Sequence, residues 1–273
     1  MAKFDGILIC TDLDGTLLNS ERKISRENRD AIEYFKSEGG SFTFITGRMP
    51  LAARPLFEMV RPNVPYGCFN GGGIYDGYKQ EYVWVSLLPE CSLDVIAFIE
   101  KNLPDIGVQI NTRENVYFSR HNAATGYFIK VTGIRGIDKH FSLINEPFAK
   151  VIFSSMENDR ILAVAELLKT HPFYDKFDFI RSEHTLYELL PKGNSKGNVM
   201  TRLTEHLGLD MNKTIAVGDY DNDISMLRAA KLSFAVANAC DAAKQAADRI
   251  TVSNDEHAIA KIINELDKGE IIL

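Results

Sequence analysis

Apolar residues fall along this chain in two alternating rhythms. Short apolar runs such as GILIC (6–10), SFTFIT (41–46) and KTIAVGD (213–219) read as strands covered on both faces. Between the first two, SRENRDAIEYFKSEGG opens with Ser25 as N-cap, places Ile32 and Phe35 at helical spacing and closes on Gly39 and Gly40. A helix joining two such strands is a βαβ unit, which implies a parallel sheet. Pro50 starts a further helix near Leu51, and YGCFNGG (66–72) reads as another apolar strand. In IYDGYKQEYVW the alternating aromatics around Asp76 and Gly77 predict a hairpin instead.

From about residue 87 to 190 the rhythm changes. SLDVIAFIEKNL reads as a helix, GVQIN and NVYFSR as strands, and HNAATGYFIKVTG as a weaker helix interrupted at Gly126. KVIFSS, ENDRILAVAELLKTH, FDFIRS and TLYELL then give a strand, a helix and two strands, groupings that favour a smaller α+β domain with its own sheet. The βα alternation returns with NSKGNVMTRLTEHLG, KTIAVGD, DNDISMLRAA, LSFAVA and EHAIAKIINEL. The expected fold class is therefore α/β, with a parallel-sheet core formed by 1–86 and 191–273 and an inserted α+β domain at 87–190.

Composition narrows the function classes. The 273 residues are 45% hydrophobic and 25% charged, enough for a large core and against global disorder. A net charge of -6 without a Lys/Arg-dense run offers nothing attractive to nucleic acid or to an anionic membrane surface. Cys10, Cys68, Cys91 and Cys240 form no CxxC pair and fit a reducing cytoplasm. The N-terminal MAKFDGILIC lacks an apolar region of signal-peptide length, so a cytoplasmic protein is expected and the sequon at Asn212 has no consequence.

The chemistry concentrates where apolar runs end. In CTDLDGT, strand alternation places Asp12 and Asp14 on one side and Leu13 on the other; the pair alone fits either a turn or a cation site. Thr46, Gly47 and Arg48 follow a second strand, and Asp219, Asn222 and Asp223 follow a third. Ligands of open α/β sheets collect outside the carboxyl ends of the strands, so these groups would converge from distant parts of the sequence. Several carboxylates call for a hard divalent cation, of which Mg2+ typically takes one or two carboxylates, waters and a substrate phosphate. A hydroxyl at Thr46, a glycine amide at Gly47 and the compact charge of Lys196 suit a phosphate group.

DLDGT, TGR, the lysine in PKGNSKG and GDYDND resemble, in order, the four motifs of the haloacid dehalogenase superfamily, and the long insert resembles its Cof-type branch with a large α/β cap. The resemblance implies a Rossmann-like core and a Mg2+-dependent phosphatase of small phosphomonoesters, such as sugar phosphates or phosphorylated cofactors. It further implies that Asp12 attacks phosphorus and binds the metal. Asp14 would act as acid and then base, with its carbonyl facing the metal. Leu13 (through its amide), Thr46, Gly47, Lys196 and Asn222 would bind phosphate. Lys196 would also stabilise charge, Asp219 would be a further metal ligand, and Asp223 would orient the metal shell or Lys196. The partner would be a small phosphorylated metabolite, with neither nucleic acid nor membrane. A sugar phosphomutase shares these motifs, and a phosphoaspartate signalling module shares the acids, threonine and lysine, although Asp14 and the insert count against the latter.

Other residues stand outside the motifs. Asn70 precedes Gly71, Gly72 and Gly73, which read as a turn, and Asn70 itself is a candidate for ordering the phosphate site. Arg48 fits either a surface ion pair or a phosphate contact. His121, His184, Arg113, Arg120, Lys130 and Arg181 are candidates for meeting substrate from the insert, whereas Tyr117, Phe118, Tyr127 and Tyr187 read as core.

Overall fold

The computed structural model describes residues 2–273. The chain first forms β1 (Leu8–Thr11), α1 (Arg26–Ser37), β2 (Ser41–Phe44), α2 (Pro50–Val60), β3 (Tyr66–Cys68), β4 (Gly73–Asp76) and β5 (Glu81–Val85). There follow α3 (Ser92–Asn102), β6 (Gly107–Asn111), β7 (Val116–Arg120), α4 (Ala123–Thr132), β8 (Ile137–Asp138), β9 (Lys150–Ser154), α5 (Asn158–Leu168), β10 (Phe177–Glu183) and β11 (Leu186–Pro191). The last stretch is α6 (Lys196–His206), β12 (Thr214–Gly218), α7 (Ile224–Ala229), β13 (Leu232–Ala235), α8 (Asp241–Ala246), β14 (Arg249–Ile250) and α9 (Ala258–Asp267). These elements separate into two compact units, Met1–Trp84 with Ser195–Leu273, and Val85–Asn194. Among the described residues no helix is long and apolar enough to cross a membrane.

The first unit is built on a parallel five-stranded sheet in the order β14, β13, β12, β1, β2. Every residue of β1 and β12 is buried, as their near-continuous apolar character demands. Helix α1 begins where the Ser25 hydroxyl accepts from the Asn28 amide, and it buries Ile32 and Phe35. It packs against α9, to which the Asn28 side chain is stapled by accepting from the Ala260 amide at 2.9 Å. Helix α2 tolerates Pro55 because the carbonyl four residues earlier belongs to exposed Leu51, where water can take the place of the missing N–H.

The stretch 66–72 departs from the strand expected there. Only Tyr66–Cys68 is extended; it pairs with β4 in an antiparallel sheet with β5 and meets the chain just beyond β2 through a single parallel bridge, Ile45 to Gly67. Phe69, Asn70 and Gly71 all have positive φ, which ends the strand and turns it back. The hairpin expected around Asp76 and Gly77 forms, and Asp76 closes it by accepting from the amides of Tyr78 and Lys79.

The second unit carries a six-stranded sheet in the order β10, β11, β9, β6, β7, β8. Its side chains alternate in character across the pleat. Val108, Ile110, Val151, Phe153 and Leu189 pack into one apolar cluster with Val95, Ile96 and Ile99 of α3 and Val164 and Leu168 of α5. The opposite face carries Gln109, Asn111, Lys150 and Glu188, with Lys150 Nζ 2.8 Å from Glu188 Oε2. Helix α4 is not interrupted at Gly126. The Asn122 and Thr125 side chains form a reciprocal cap at its start, and Gly133 at φ +72 closes it, so one solvent-facing glycine does not break it. Tyr127, expected in the core, is exposed on that helix, whereas Tyr117, Phe118 and Tyr187 are packed as expected.

Candidate active site

Asp12 directly follows β1, Asp219 directly follows β12, and Thr46 lies two residues beyond β2. These three strands are neighbours, with β1 in the middle. The alternation of the sheet with its helices therefore delivers all three residues to one edge, at the carboxyl ends of the strands. The opposite charge comes from α6: Lys196 is its first residue, held there because Ser195 caps the helix by accepting from the Asn198 amide at 3.1 Å.

The Lys196 side chain is wholly buried, and its ammonium donates to Asp12 Oδ1 and to Asp223 Oδ1, both at 2.6 Å. Asp223 uses its other oxygen to accept from the amides of Asp219 at 2.9 Å and Tyr220 at 3.1 Å. It thus fixes the turn after β12 and the lysine at once. Thr16 donates to Asp219 Oδ1 at 2.7 Å. The chain reaches Thr16 through Gly15 at φ +82, where a Cβ would lie 2.5 Å from Asp219 Oδ2.

Burial and repulsion set the charge state of this cluster. Desolvation, then the charges of Asp223, Asp219 and Asp14, push the Asp12 carboxyl well up against the pull of Lys196. Desolvation and Asp223 push Asp219 up to about 7. Burial alone would lower Lys196, but Asp12 and Asp223 outweigh it and hold its proton in place. Three carboxyls around one ammonium would carry an excess of negative charge if all were ionised, and after burial that repulsion is what raises Asp12 and Asp219. Oxygen atoms of Asp12, Asp219 and Asp223 lie within 4.8 Å of one another, a donor set that could hold a hard divalent cation.

Asp14 stands apart from that cluster. Its carboxylate is gripped in a fork by Arg48, with Nε to Oδ2 at 2.8 Å and Nη2 to Oδ1 at 2.7 Å. Of the two readings open for Arg48, the ion pair is present. Thr46 is buried, and its hydroxyl accepts from the Arg48 amide at 3.2 Å. Gly47 packs against the Asn70 amide, and Asn70 Oδ1 accepts from Asn222 Nδ2 at 3.0 Å. The Leu13 side chain is buried in the core.

These contacts include partners that sequence reasoning did not identify. Thr16 holds Asp219, and Arg48 holds Asp14; the signals were the threonine closing DLDGT and the arginine closing TGR. The charged candidates of the second unit are largely engaged within it. Arg120 donates to the Glu100 and Leu103 carbonyls at the end of α3, His121 pairs with Asp138 at 2.6 Å, and Arg181 contacts Asn158 and His184.

The family model for haloacid dehalogenase-like hydrolases matches residues 9–263, from β1 to α9. The chain belongs to the haloacid dehalogenase-like hydrolases. Within that family it is 30% identical over 290 residues to the 5-amino-6-(5-phospho-D-ribitylamino)uracil phosphatase YwtE of Bacillus subtilis, covering 96% of this chain and 98% of that one. It is 27% identical over 285 residues to the phosphatase YwpJ of the same organism, covering 95% and 99%. A haloacid dehalogenase-like hydrolase from Bacteroides thetaiotaomicron superposes with a TM-score of 0.83 at 27% identity, covering 95% of this chain and 99% of that one. This haloacid dehalogenase-like enzyme is a phosphoric monoester hydrolase.

Proposed function

We propose that the enzyme is a Mg2+-dependent phosphatase of small phosphomonoesters, sugar phosphates or phosphorylated cofactors, working through an aspartyl-phosphate on Asp12. The observation that carries this reading is the Lys196 ammonium, fully buried and 2.6 Å from Asp12, beside two further carboxylates. The 5-amino-6-(5-phospho-D-ribitylamino)uracil phosphatase activity in the name of the YwtE relative supports a phosphorylated polyol among the substrates. Four free cysteines, two of them buried, support a cytoplasmic location.

Asp12 attacks phosphorus and takes the phosphoryl group as the ester bond to the leaving oxygen breaks. Lys196 holds Asp12 and offsets charge gathering on the phosphoryl oxygens, in a site too buried for water to screen it. The Thr46 hydroxyl, the amides of Leu13 and Gly47, and Asn222 bind those oxygens. Asp14 gives its proton to the leaving alkoxide and then takes one from the water that attacks the aspartyl-phosphate, releasing inorganic phosphate and restoring Asp12. Arg48 donates to both oxygens of Asp14, so one of those hydrogen bonds must open and Asp14 must take up a proton from solvent before it can protonate a leaving oxygen. Mg2+, held by Asp12, Asp219, the Asp14 carbonyl and either Asp223 itself or groups Asp223 orients, would supply Lewis-acid neutralisation of the phosphate. We assign the second unit, Val85–Asn194, the role of the cap that distinguishes leaving groups.

The test is phosphate release from a panel of sugar phosphates, nucleotides and phosphorylated cofactors, with and without Mg2+, beside Asp12→Asn. Release that needs Mg2+ and is lost in Asp12→Asn is expected. Silence of the intact enzyme across the panel would refute the reading.

A further inference from the structure

The turn after β3 holds an unusual backbone. Phe69 and Asn70 both have φ 55 and Gly71 has φ +100, although only the last is a glycine. Phe69 is fully buried, and a bulky residue in the left-handed region persists only where its surroundings over-determine it. Asparagine tolerates this backbone well, which accounts for Asn70 but not for Phe69.

What over-determines the turn is the catalytic edge of the sheet. The Phe69 amide donates to the Arg48 carbonyl at 3.1 Å, and the Asn70 amide donates to the Thr46 carbonyl at 3.0 Å. The Asn70 side chain lies against Gly47, where a Cβ would come within 2.9 Å of both its amide atoms. Its Oδ1 accepts from Asn222 Nδ2 at 3.0 Å, and both side chains are buried. On the third side, Gly71 presses on the Ser195 backbone, the cap of the helix that begins with Lys196, with no room for a side chain between them. One three-residue turn thus touches the loop after β2, the loop after β12 and the start of α6.

We propose that Asn70 is a positioning residue for phosphoryl binding. It fixes the plane and direction of the Asn222 amide and packs its side chain against Gly47 while its backbone holds Thr46, so the groups that meet the phosphate share one rigid reference. An amide can rotate end for end in a polar site, and an acceptor placed on its NH2 group selects one of the two orientations. The inference rests on the phosphatase reading above, in which Asn222, Thr46 and Gly47 bind phosphate, and adds a residue that acts through them.

The test is a double-mutant cycle on the full chain, read as the inhibition constant for inorganic phosphate and as kcat and KM separately. Asn70→Gly suits it, because glycine adopts φ 55 freely, so the turn and its backbone hydrogen bonds are kept while the amide is lost. Thermal unfolding checks that the variants are folded. Asn70→Gly is expected to raise the inhibition constant about 10-fold in the wild-type background and less than about 2-fold once Asn222→Ala is present, the signature of two residues acting as one. KM should rise more than kcat falls. Equal effects in both backgrounds, or no effect in the wild type, would overturn the inference and leave the phosphatase reading intact. A wild-type enzyme that neither releases phosphate nor is inhibited by it would take both down.

Discussion

Lys196→Met isolates the electrostatics of the site. Methionine nearly matches the length and volume of lysine, so the substitution leaves little cavity and removes mainly the charge and its donors. In the wild type the ammonium is wholly buried, with Asp12 and Asp223 each at 2.6 Å. Breaking a buried pair by removing one partner costs about 3–5 kcal/mol, because the remaining charge is left uncompensated. The loss should depend on pH with a definite sign. Burial already raises Asp12, and raises Asp219 to about 7; Lys196 is the one nearby charge that lowers both. Carboxyls with raised folded values stabilise fully below their unfolded value of about 3.9 and lose that contribution as pH rises through the folded value. The unfolded values are common to both proteins, so the deficit of Lys196→Met changes with pH only where their folded values differ: it should be smallest below about pH 7 and grow as pH rises through and above the wild-type value of Asp219. Urea unfolding in EDTA, followed by the fluorescence of Trp84, measures it. Trp84 is the chain's single tryptophan, lies in the first unit, and has the Arg202 guanidinium 4.7 Å from its ring centroid. A loss under about 1 kcal/mol at pH 9, or one of equal size at pH 5 and pH 9, would refute the reasoning.

Arg48→Ala should lower kcat/KM for alkyl phosphates about 10- to 100-fold, by unsettling Asp14, the acid we propose, but only a few-fold for 4-nitrophenyl phosphate, whose leaving group needs no proton. Equal losses on both substrates would contradict that role. Gly71→Ala sets a methyl against the Ser195 backbone at φ +100 and should cost about 3 kcal/mol in urea unfolding; a loss within about 0.5 kcal/mol would show that the turn yields. In the second unit, Glu146 accepts from Tyr117, Thr112 and Asn115, and the Tyr117 hydrogen bond leads in holding its carboxyl below the ordinary 4.5. Its contribution is present above that value and lost as pH falls through the lowered one. Glu146→Gln should thus lose about 1–2 kcal/mol at pH 7 and progressively less below pH 4 in thermal melts, whereas a pH-independent deficit would argue against the charge.

The elements most legible along the chain were those whose signals are local. Ser25 capping α1, Pro50 opening α2 and the apolar runs of β1 and β12 each carry their reason within a few residues. Two readings failed where a neighbour overrode propensity. Gly126 does not break α4 because Asn122 and Thr125 cap it, and the apolar stretch 66–72 is no continuous strand because contacts with Thr46 and Arg48 hold its second half left-handed. Tyr127 looked like core by spacing alone, but spacing says which residues share a helix face and not what that face meets.

For the site, the sequence alone placed acids, a threonine and a lysine at strand ends and a helix start, because alternation and the parallel βα order constrain where strand ends lie. What it could not determine is which side chain holds which. Arg48 and Asp14 are 34 residues apart, Asn70 and Asn222 are 152, Lys196 and Asp12 are 184, and Thr16 and Asp219 are 203. Distances of that kind are set by strand order and by the packing of α6 and the 69–71 turn against the sheet edge. The same packing buries Lys196, and through burial decides the protonation of Asp12 and Asp219. Residue type sets what a group can do; the dielectric and the neighbours that tune it exist only in the folded chain.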